Sequence, residues 1–206
     1  MAKVHPLASN IIDSSSTPSA SCSSKRETLT VWMKSLVMQG NGCTAYNENG
    51  QIVYRIDNYD QKNSDEVYLM DLKGKVLFTI LRKKMWVFSH WEGYKSNGLD
   101  SNNIDKPLFQ VRKNCRVHLG KDFSCKVTLK YNNNQASYYR LEGSAGKSAL
   151  RIVDGQGRLL AEAKRKQSSS GVVLGDDVLT LVVEARVDHS LVMALLTVYG
   201  LMQRKM

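Results

Sequence analysis

The chain has 206 residues, of which 42% are hydrophobic and 23% are charged, so it can bury a full core in one domain without disulfide staples. Lysine and arginine number 29 against 19 for aspartate and glutamate, which gives a net charge of +10. This excess favours an acidic partner, whether a membrane surface, nucleic acid or protein. A surface that is basic only for solubility would have the same composition, and that interpretation stays open.

Cysteine and histidine are sparse and scattered along the chain. No two cysteines form a C-x-x-C pair and no cysteine–histidine spacing matches a zinc site, so we expect no disulfide framework, no metal and no cofactor. Residues 1–16 lack the apolar core of a signal peptide, and no N-x-[ST] acceptor occurs. These features predict an intracellular protein, and the residues concerned are Cys22, Cys43, Cys115, Cys125, His5, His90, His118 and His189.

Residues 1–26 have the composition of a disordered tail. They contain eight serines together with Pro6 and Pro18, which leaves too little apolar surface to offset the entropy of ordering. A solvated tail and a regulatory arm controlled by phosphorylation are both compatible with this composition. We therefore predict that the folded domain occupies residues 27–206.

From Thr28 onward the chain consists of short runs rich in β-branched and aromatic residues, separated by turn signals. In the first run, Leu29, Val31 and Met33 alternate with polar or exposed positions. Many short strands at regular spacing predict a mainly β fold, either a sandwich or a barrel. The later runs are Gln51–Ile56, Val67–Met70, Val76–Leu81, Met85–Trp91, Leu108–Arg112, Lys126–Tyr131, Ser137–Leu141, Leu150–Val153, Leu159–Ala163 and Val178–Ala185.

One turn motif occurs three times, as Asx-x-x-Gly followed by a polar and two apolar residues. The Asx side chain can bond the backbone two residues on, and glycine permits a positive φ. Each copy therefore predicts a tight hairpin between two strands. Uneven spacing argues against a solenoid. The copies begin at Asn47, Asp71 and Asp154.

Two longer polar segments, Glu92–Lys106 and Gln167–Asp177, are predicted to be exposed loops. Loops of this length often bind something, but neither carries a recognisable ligand set.

The last segment is apolar on every side of a helical wheel. Asp188-His189-Ser190 can cap a helix that covers Leu191–Met202. Such a helix would be about 18 Å long, whereas a bilayer core needs roughly 30 Å. We therefore predict a buried core helix with strands around it, and no transmembrane segment.

Six stretches occur along the chain in this order: Thr30–Leu36, Val53–Tyr59, Val67–Asp71, Gly74-Lys75, Leu81–Lys84 and Asp188–Leu195. Together they resemble the plant LURP-one-related proteins. One resembles the family's opening strand, one follows the first hairpin turn, three fit the next hairpin, and the last resembles its apolar C-terminal helix. The resemblance runs from about Thr28 to Met202, nearly the whole predicted domain.

This resemblance implies a closed antiparallel barrel of about twelve strands around a central C-terminal helix. The family is similar in structure to the tubby C-terminal domain and to phospholipid scramblases. The resemblance also implies a plant protein, with some members linked to defence against pathogens. Tubby-like domains bind phosphoinositides and tether transcription regulators at membranes. The tubby signature motifs are not matched here, so no binding residue is carried over.

Two basic triplets, Arg82-Lys83-Lys84 and Lys164-Arg165-Lys166, are the candidate lipid-binding residues. The repeat relates them, because each triplet begins near the far end of the second strand of a repeated hairpin. They should line one rim or opposite rims, where each cation near an anionic leaflet would contribute about 1 kcal/mol. Strand-end lysine and arginine also protect sheet edges, and that interpretation stays open.

No other motif amounts to an active site. Gly143–Ser148 resembles the end of a P-loop, but Leu141 stands where a glycine is required and a strand is expected to follow. The adjacent Asp176-Asp177 lacks further oxygen ligands for a cation. Cys115 and His118 could form a dyad, although structural roles are favoured. We therefore expect no enzymatic activity.

The sequence leaves two functional hypotheses. The first is a domain that binds phosphoinositide or another anionic membrane lipid. The second is a protein-interaction scaffold of plant defence whose two long loops contact defence-related proteins. Nucleic acid is not an expected partner, because Trp32, Trp86 and Trp91 lie in strand-like runs where a core role is the default. We expect a monomer in the cytoplasm, at the plasma membrane or in the nucleus.

Overall fold

The computed structural model describes residues 23–33, 41–58, 65–85, 88–96, 106–113, 122–130, 136–144, 150–168 and 170–203. Within these ranges the chain forms twelve strands and one helix. The strands are β1 (Glu27–Trp32), β2 (Asn41–Tyr46), β3 (Ile52–Asn58), β4 (Glu66–Asp71), β5 (Val76–Met85), β6 (Phe88–Lys95), β7 (Phe109–Lys113), β8 (Asp122–Lys130), β9 (Ala136–Ser144), β10 (Leu150–Asp154), β11 (Leu159–Arg165) and β12 (Val178–Val183); the helix is α1 (His189–Met202).

The strands form one closed antiparallel barrel. Each strand pairs with its neighbours in sequence, and β1 pairs with both β2 and β12. Closure leaves no unpaired sheet edge along the barrel, which is the usual reason that such sheets resist edge-to-edge association. The predicted barrel of about twelve strands is confirmed.

Helix α1 fills the centre of the barrel. Every residue from His189 to Gly200 is buried, because the helix is apolar on all sides and strands surround it. Asp188 caps the helix, as predicted, by accepting hydrogen bonds from the backbone N–H groups of Ser190 and Leu191. No helix in the described ranges has the length and apolarity needed to cross a bilayer.

Because neighbouring strands run in opposite directions, successive connections alternate between the two ends of the barrel. The ends are distinguished by which connections they carry. The β2–β3, β4–β5 and β10–β11 connections and the start of α1 lie at one end, which we call the turn end. The β11–β12 connection and the last turn of α1 lie at the other, which we call the helix-exit end. Tyr199 and Met202 mark the helix-exit end by their contacts with Phe123 and Cys125 near the start of β8.

The three repeated turns form as predicted. Asn47 Oδ1 accepts hydrogen bonds from the backbone N–H groups of Asn49 (3.0 Å) and Gln51 (2.9 Å). The carboxylates of Asp71 and Asp154 accept equivalent pairs of bonds. The fourth residue of each turn adopts the left-handed conformation that favours glycine, with φ of 73°, 79° and 83° at Gly50, Gly74 and Gly157.

Two strand predictions differ from the structure. The run Met85–Trp91 is not one strand, because β5 ends at Met85 and β6 begins at Phe88. The sequence did not predict this boundary, since no glycine, asparagine or aspartate lies between the two residues. Strand β2 was not predicted, since Asn41 and Gly42 have low β propensity. Its extended conformation is stabilised by backbone pairing with β1 and β3. Of the predicted loop Glu92–Lys106, the first four residues belong to β6.

Most of the predicted N-terminal tail, residues 1–22, lies outside the described residues. The described part of the tail contacts the barrel. The backbone N–H of Arg186 donates to the carbonyl of Ser23 at 2.7 Å, and Arg26 Nε lies 3.3 Å from a carboxylate oxygen of Glu184.

Candidate functional site

Both basic triplets lie at the helix-exit end of the barrel. Arg82-Lys83-Lys84 lies near the end of β5, and Lys164-Arg165 closes β11, with Lys166 just beyond it. Strands β5 and β11 run in the same direction, so both triplets reach the same rim. The sequence had left open whether they lie on one rim or on opposite rims.

The triplets nevertheless lie on opposite walls. Six of the twelve strand-to-strand steps around the barrel separate β5 from β11. With strands about 4.8 Å apart, the barrel is roughly 18 Å across or more. A single phosphate or lipid head group therefore cannot contact both triplets, whereas an extended surface can.

The cations of the first triplet differ in their surroundings. Lys84 Nζ lies 2.5 Å from Asp65 Oδ2, and the guanidinium of Arg82 lies 6.0 Å from the ring centroid of Trp91. Lys83 is exposed and has no carboxylate partner within the described ranges. Solvent weakens the exposed Lys84–Asp65 pair, so the triplet keeps much of its positive field.

The second triplet is more fully partnered. Lys164 Nζ lies 2.8 Å from Glu162 Oε2, and Arg165 Nη1 lies 3.1 Å from Asp176 Oδ1. Lys166 Nζ donates a hydrogen bond to Thr30 Oγ1 at 2.6 Å. These bonds fix the cations at the base of the β11–β12 connection.

The β11–β12 connection is a short hairpin that presents apolar side chains to solvent. The backbone N–H of Ser168 donates to the carbonyl of Val172 at 2.8 Å, and that of Leu174 donates to Lys166 at 3.0 Å. Val172, Val173 and Leu174 are 63%, 42% and 54% exposed. Adjacent exposed aliphatic residues of this kind often mark a contact with a partner or a membrane. We call residues 166–175 the apolar hairpin.

The base of the apolar hairpin is held against β1. The indole N–H of Trp32 donates to Asp177 Oδ2 at 3.1 Å, and the backbone N–H of Met33 donates to the carbonyl of Asp177 at 2.7 Å. Asp176 and Asp177 therefore face Arg165 and Trp32. The expectation that Trp32 is a core residue is wrong, since its side chain is 37% exposed outside the barrel; Trp91 is buried as expected.

In the described part of the chain, the other candidate residues from the sequence do not form a metal site or a phosphate-binding loop. No group of three histidine, cysteine or acidic residues there could hold a metal ion. Gly143 packs against the ring of Tyr199, and strand β10 follows where a P-loop needs a helix. Cys115, His118 and Trp86 lie outside the described residues.

The sequence did not predict that the apolar hairpin presents aliphatic side chains to solvent. The segment Gln167–Asp177 was predicted to be an exposed loop because of Ser168, Ser169, Ser170 and Gly171. The only local signal was the run Val172-Val173-Leu174 directly after them. Such a run taken alone also fits a buried strand. The structure confirms the predicted exposure of the segment and shows that its three most exposed large side chains are aliphatic.

Comparison with known proteins places the whole barrel in one family. The LURP-one-related family model matches residues 27–200. Protein LURP-one-related 11 of Arabidopsis thaliana is 42% identical, over 98% of this chain and 88% of the relative. Protein LURP-one-related 4 of the same plant is 46% identical, over 88% of this chain and 80% of the relative. A crystal structure of an Arabidopsis thaliana protein shares the fold, with a TM-score of 0.59 at 16% identity, over 86% of this chain and 91% of that one.

Proposed function

The chain belongs to the LURP-one-related family, and we propose that its barrel is a non-enzymatic domain that binds anionic membrane lipids through the helix-exit end. The observation that carries this proposal is the apolar hairpin, in which Val172, Val173 and Leu174 are exposed and the backbone N–H of Leu174 is bonded to Lys166 of the second basic triplet. Exposed aliphatic residues next to basic residues are typical of proteins that bind reversibly at a membrane interface.

The expected affinity is that of a reversible association. Burying three partly exposed aliphatic side chains would contribute about 2–3 kcal/mol. Two or three nearby cations would add about 1 kcal/mol each, less where they are already paired. The sum of about 5 kcal/mol corresponds to a Kd of roughly 0.1–0.3 mM. Tighter binding would need a head-group contact in addition.

Phosphoinositides are the anionic lipids that we favour. They carry several phosphate charges per head group, and the family resembles the tubby-like domains and the phospholipid scramblases. Because the two triplets lie on opposite walls, one head group would contact one triplet only. We further infer that the protein acts in plant defence from the cytoplasmic side of the membrane, or as a membrane-tethered regulator that can enter the nucleus.

Co-sedimentation of the full chain with vesicles tests this function. We compare neutral vesicles with vesicles that contain phosphatidylserine or a phosphoinositide, across a salt series. Binding to phosphoinositide vesicles that survives moderate salt would support head-group recognition. Binding that is lost near physiological ionic strength would show a diffuse field only, and would contradict phosphoinositide recognition.

Two sets of variants locate the binding surface. The combined change Val172→Ser, Val173→Ser and Leu174→Ser should abolish vesicle binding. The matched control is Leu72→Ser, because Leu72 is 64% exposed at the turn end. Charge reversal at Lys83, Lys84, Lys164 and Arg165 should also abolish it. Unchanged binding by both sets would overturn the proposal and favour the alternative of a protein-interaction scaffold without a lipid ligand.

A further inference from the structure

The outer wall of the barrel carries basic side chains directly opposite one another on five consecutive strands. The register pairs Lys83 with His90, His90 with Arg112, Arg112 with Lys126, and Lys126 with Arg140. These residues belong to β5, β6, β7, β8 and β9 in turn. We call these five residues the basic row.

The side chains of the basic row point away from the core. Val111 and Val127, which precede or follow row residues on β7 and β8, are fully buried and face inward. Because successive side chains on a strand point to opposite faces, Arg112 and Lys126 face outward. The four lysine and arginine residues of the row are exposed, whereas His90 is buried.

This arrangement is unfavourable for the isolated protein. Like charges directly opposite each other in an antiparallel pair are destabilising. At the next outward-facing positions of β6, β7 and β8, basic residues do not face one another. Glu92 faces Gln110, and Gln110 faces Thr128. The row therefore keeps a concentrated positive charge that pairing within the sheet does not neutralise.

The two carboxylates that the structure describes on this wall, those of Glu92 and Glu142, are already engaged. Glu92 accepts hydrogen bonds from Tyr94 (2.7 Å) and Gln110 (3.0 Å), and its Oε1 lies 3.1 Å from Nε2 of His90. Burial opposes its ionisation, but these hydrogen bonds outweigh burial and hold the pKa of Glu92 below its usual value. Burial and the bond to Glu92 raise the pKa of Tyr94 to about 12. Glu92 is thus an ionised acceptor with little capacity left for the row.

Glu142 serves only one end of the row. Its Oε1 lies 2.6 Å from Arg140 Nε, and its Oε2 lies 3.7 Å from Arg151 Nη1. Lys126 Nζ lies 4.2 Å from the ring centroid of Tyr138, which leaves its charge intact. Within the described ranges, Lys83, Arg112 and Lys126 have no carboxylate partner of their own. These three cations are available to an external anion.

The shape of the row limits what that anion can be. Four of the twelve strand-to-strand steps separate Lys83 from Arg140, so the row covers one third of the circumference. It is about 19 Å long and curves through about 120°. A planar bilayer would touch only part of such a convex surface, whereas a flexible chain can follow all of it.

An acidic polypeptide fits this surface best. An extended segment of about six residues covers 19 Å. Its carboxylates can pair with the guanidinium fork of Arg112 in bidentate geometry and with the ammonium groups of Lys83 and Lys126. Single-stranded nucleic acid would need exposed aromatic rings on which its bases can stack. In the described part of this wall Tyr138 is 47% exposed, but Lys126 Nζ lies 4.2 Å from its ring centroid and competes for one face of the ring. We propose that the basic row binds an extended acidic segment of a partner protein.

The basic row shares Lys83 with the first basic triplet, whereas Arg112 and Lys126 belong to neither triplet nor to the apolar hairpin. The experiment therefore changes Arg112 and Lys126. The probe is a fluorescein-labelled peptide of about twelve residues in which glutamate alternates with serine, at about 50 mM salt, where such charge pairs are weakly screened. The variant Arg112→Glu with Lys126→Glu is compared with Lys73→Glu with Lys75→Glu, an equal charge change on the exposed β4–β5 turn. We expect the first variant to weaken peptide binding about tenfold or more and the second no more than about twofold.

Each result bears on the proposal. Equal weakening in both variants would show that only net charge matters, and would overturn it, as would no binding by the natural chain. Tighter binding of an oligothymidylate of equal charge would identify the row as a nucleic-acid site instead. Thermal unfolding of both variants checks that each is folded before its binding is compared. Vesicle binding should persist in Arg112→Glu with Lys126→Glu, so failure of the membrane proposal and failure of this one are distinguishable.

Discussion

Gly93 of β6 lies directly opposite Phe109 of β7, and the aromatic ring occupies the space that any side chain at Gly93 would need. A Cβ placed at Gly93 would lie 2.0 Å from Cε1 of Phe109. Phe109 is fully buried and its ring centroid lies 5.9 Å from that of Phe78. The ring therefore has little room to move.

We predict that Gly93→Ala destabilises the barrel by about 1–3 kcal/mol, because the added methyl group overpacks the core. The measurement is urea unfolding followed by tryptophan fluorescence. Gly155→Ala is the control, since a Cβ there would be 3.4 Å from the nearest atom, the carbonyl oxygen of Tyr138. Equal stability of the two variants would show that the ring of Phe109 moves without cost.

Packing of helix α1 inside the barrel should contribute to the free energy of unfolding, and a substitution at the centre of the helix measures that contribution at one side chain. Leu195 is completely buried, and Leu195→Ala should lower the free energy of unfolding by about 2–5 kcal/mol through lost burial and the cavity left behind. Leu72→Ala makes the same chemical change at a side chain that is 64% exposed, and should cost under about 0.5 kcal/mol. A small effect at Leu195 would mean that the barrel does not depend on the packed helix.

The cap of α1 should stabilise the helix end that enters the barrel. Asp188 Oδ1 accepts hydrogen bonds from the backbone N–H groups of Ser190 (2.9 Å) and Leu191 (3.1 Å), and Oδ2 lies 3.1 Å from Lys95 Nζ. Asp188→Ala should lower the free energy of unfolding by about 1–2 kcal/mol. Asp188→Asn keeps an acceptor oxygen and should cost less, in the same denaturation assay at neutral pH.

The same carboxylate should make stability depend on acid. Burial opposes ionisation of Asp188, but the hydrogen bond from Ser190 and the charge of Lys95 outweigh it, so its pKa lies below the ordinary value of 3.8. The stabilisation is therefore present above about pH 4 and lost as pH falls through the folded-state pKa. Melting temperatures measured from pH 6 to pH 2 should fall less steeply for Asp188→Asn than for the natural chain. Parallel curves would contradict this assignment.

Charge repulsion within the basic row should be measurable as a stability defect. Arg112→Gln removes one cation that faces Lys126, and should raise the free energy of unfolding by about 0.2–1 kcal/mol at low salt. The gain should shrink at high salt, where repulsion in the natural chain is screened. If Arg112→Gln were destabilising at every salt concentration, the guanidinium would have a structural role rather than a binding one.

Local signals in the sequence predicted much of the architecture. The Asx-x-x-Gly turns were found because an asparagine or aspartate bonds its own backbone and a glycine three residues later accepts a positive φ. The buried helix followed from its apolar circumference and the capping residue Asp188. The failures, at β2 and at the boundary between β5 and β6, occurred where the local signal was weak and strand pairing decided the structure.

The candidate surfaces depended on the tertiary structure. The sequence determined that the chain is basic and that two triplets lie at equivalent points of a repeat. Only closure of the barrel decided that both triplets share one end and face opposite walls. Only strand register placed Arg112, Lys126 and Arg140 side by side, since residues 14 positions apart become neighbours through backbone hydrogen bonds between strands. Pairing of that kind depends on how the whole sheet buries its apolar face, and no short window of sequence contains it.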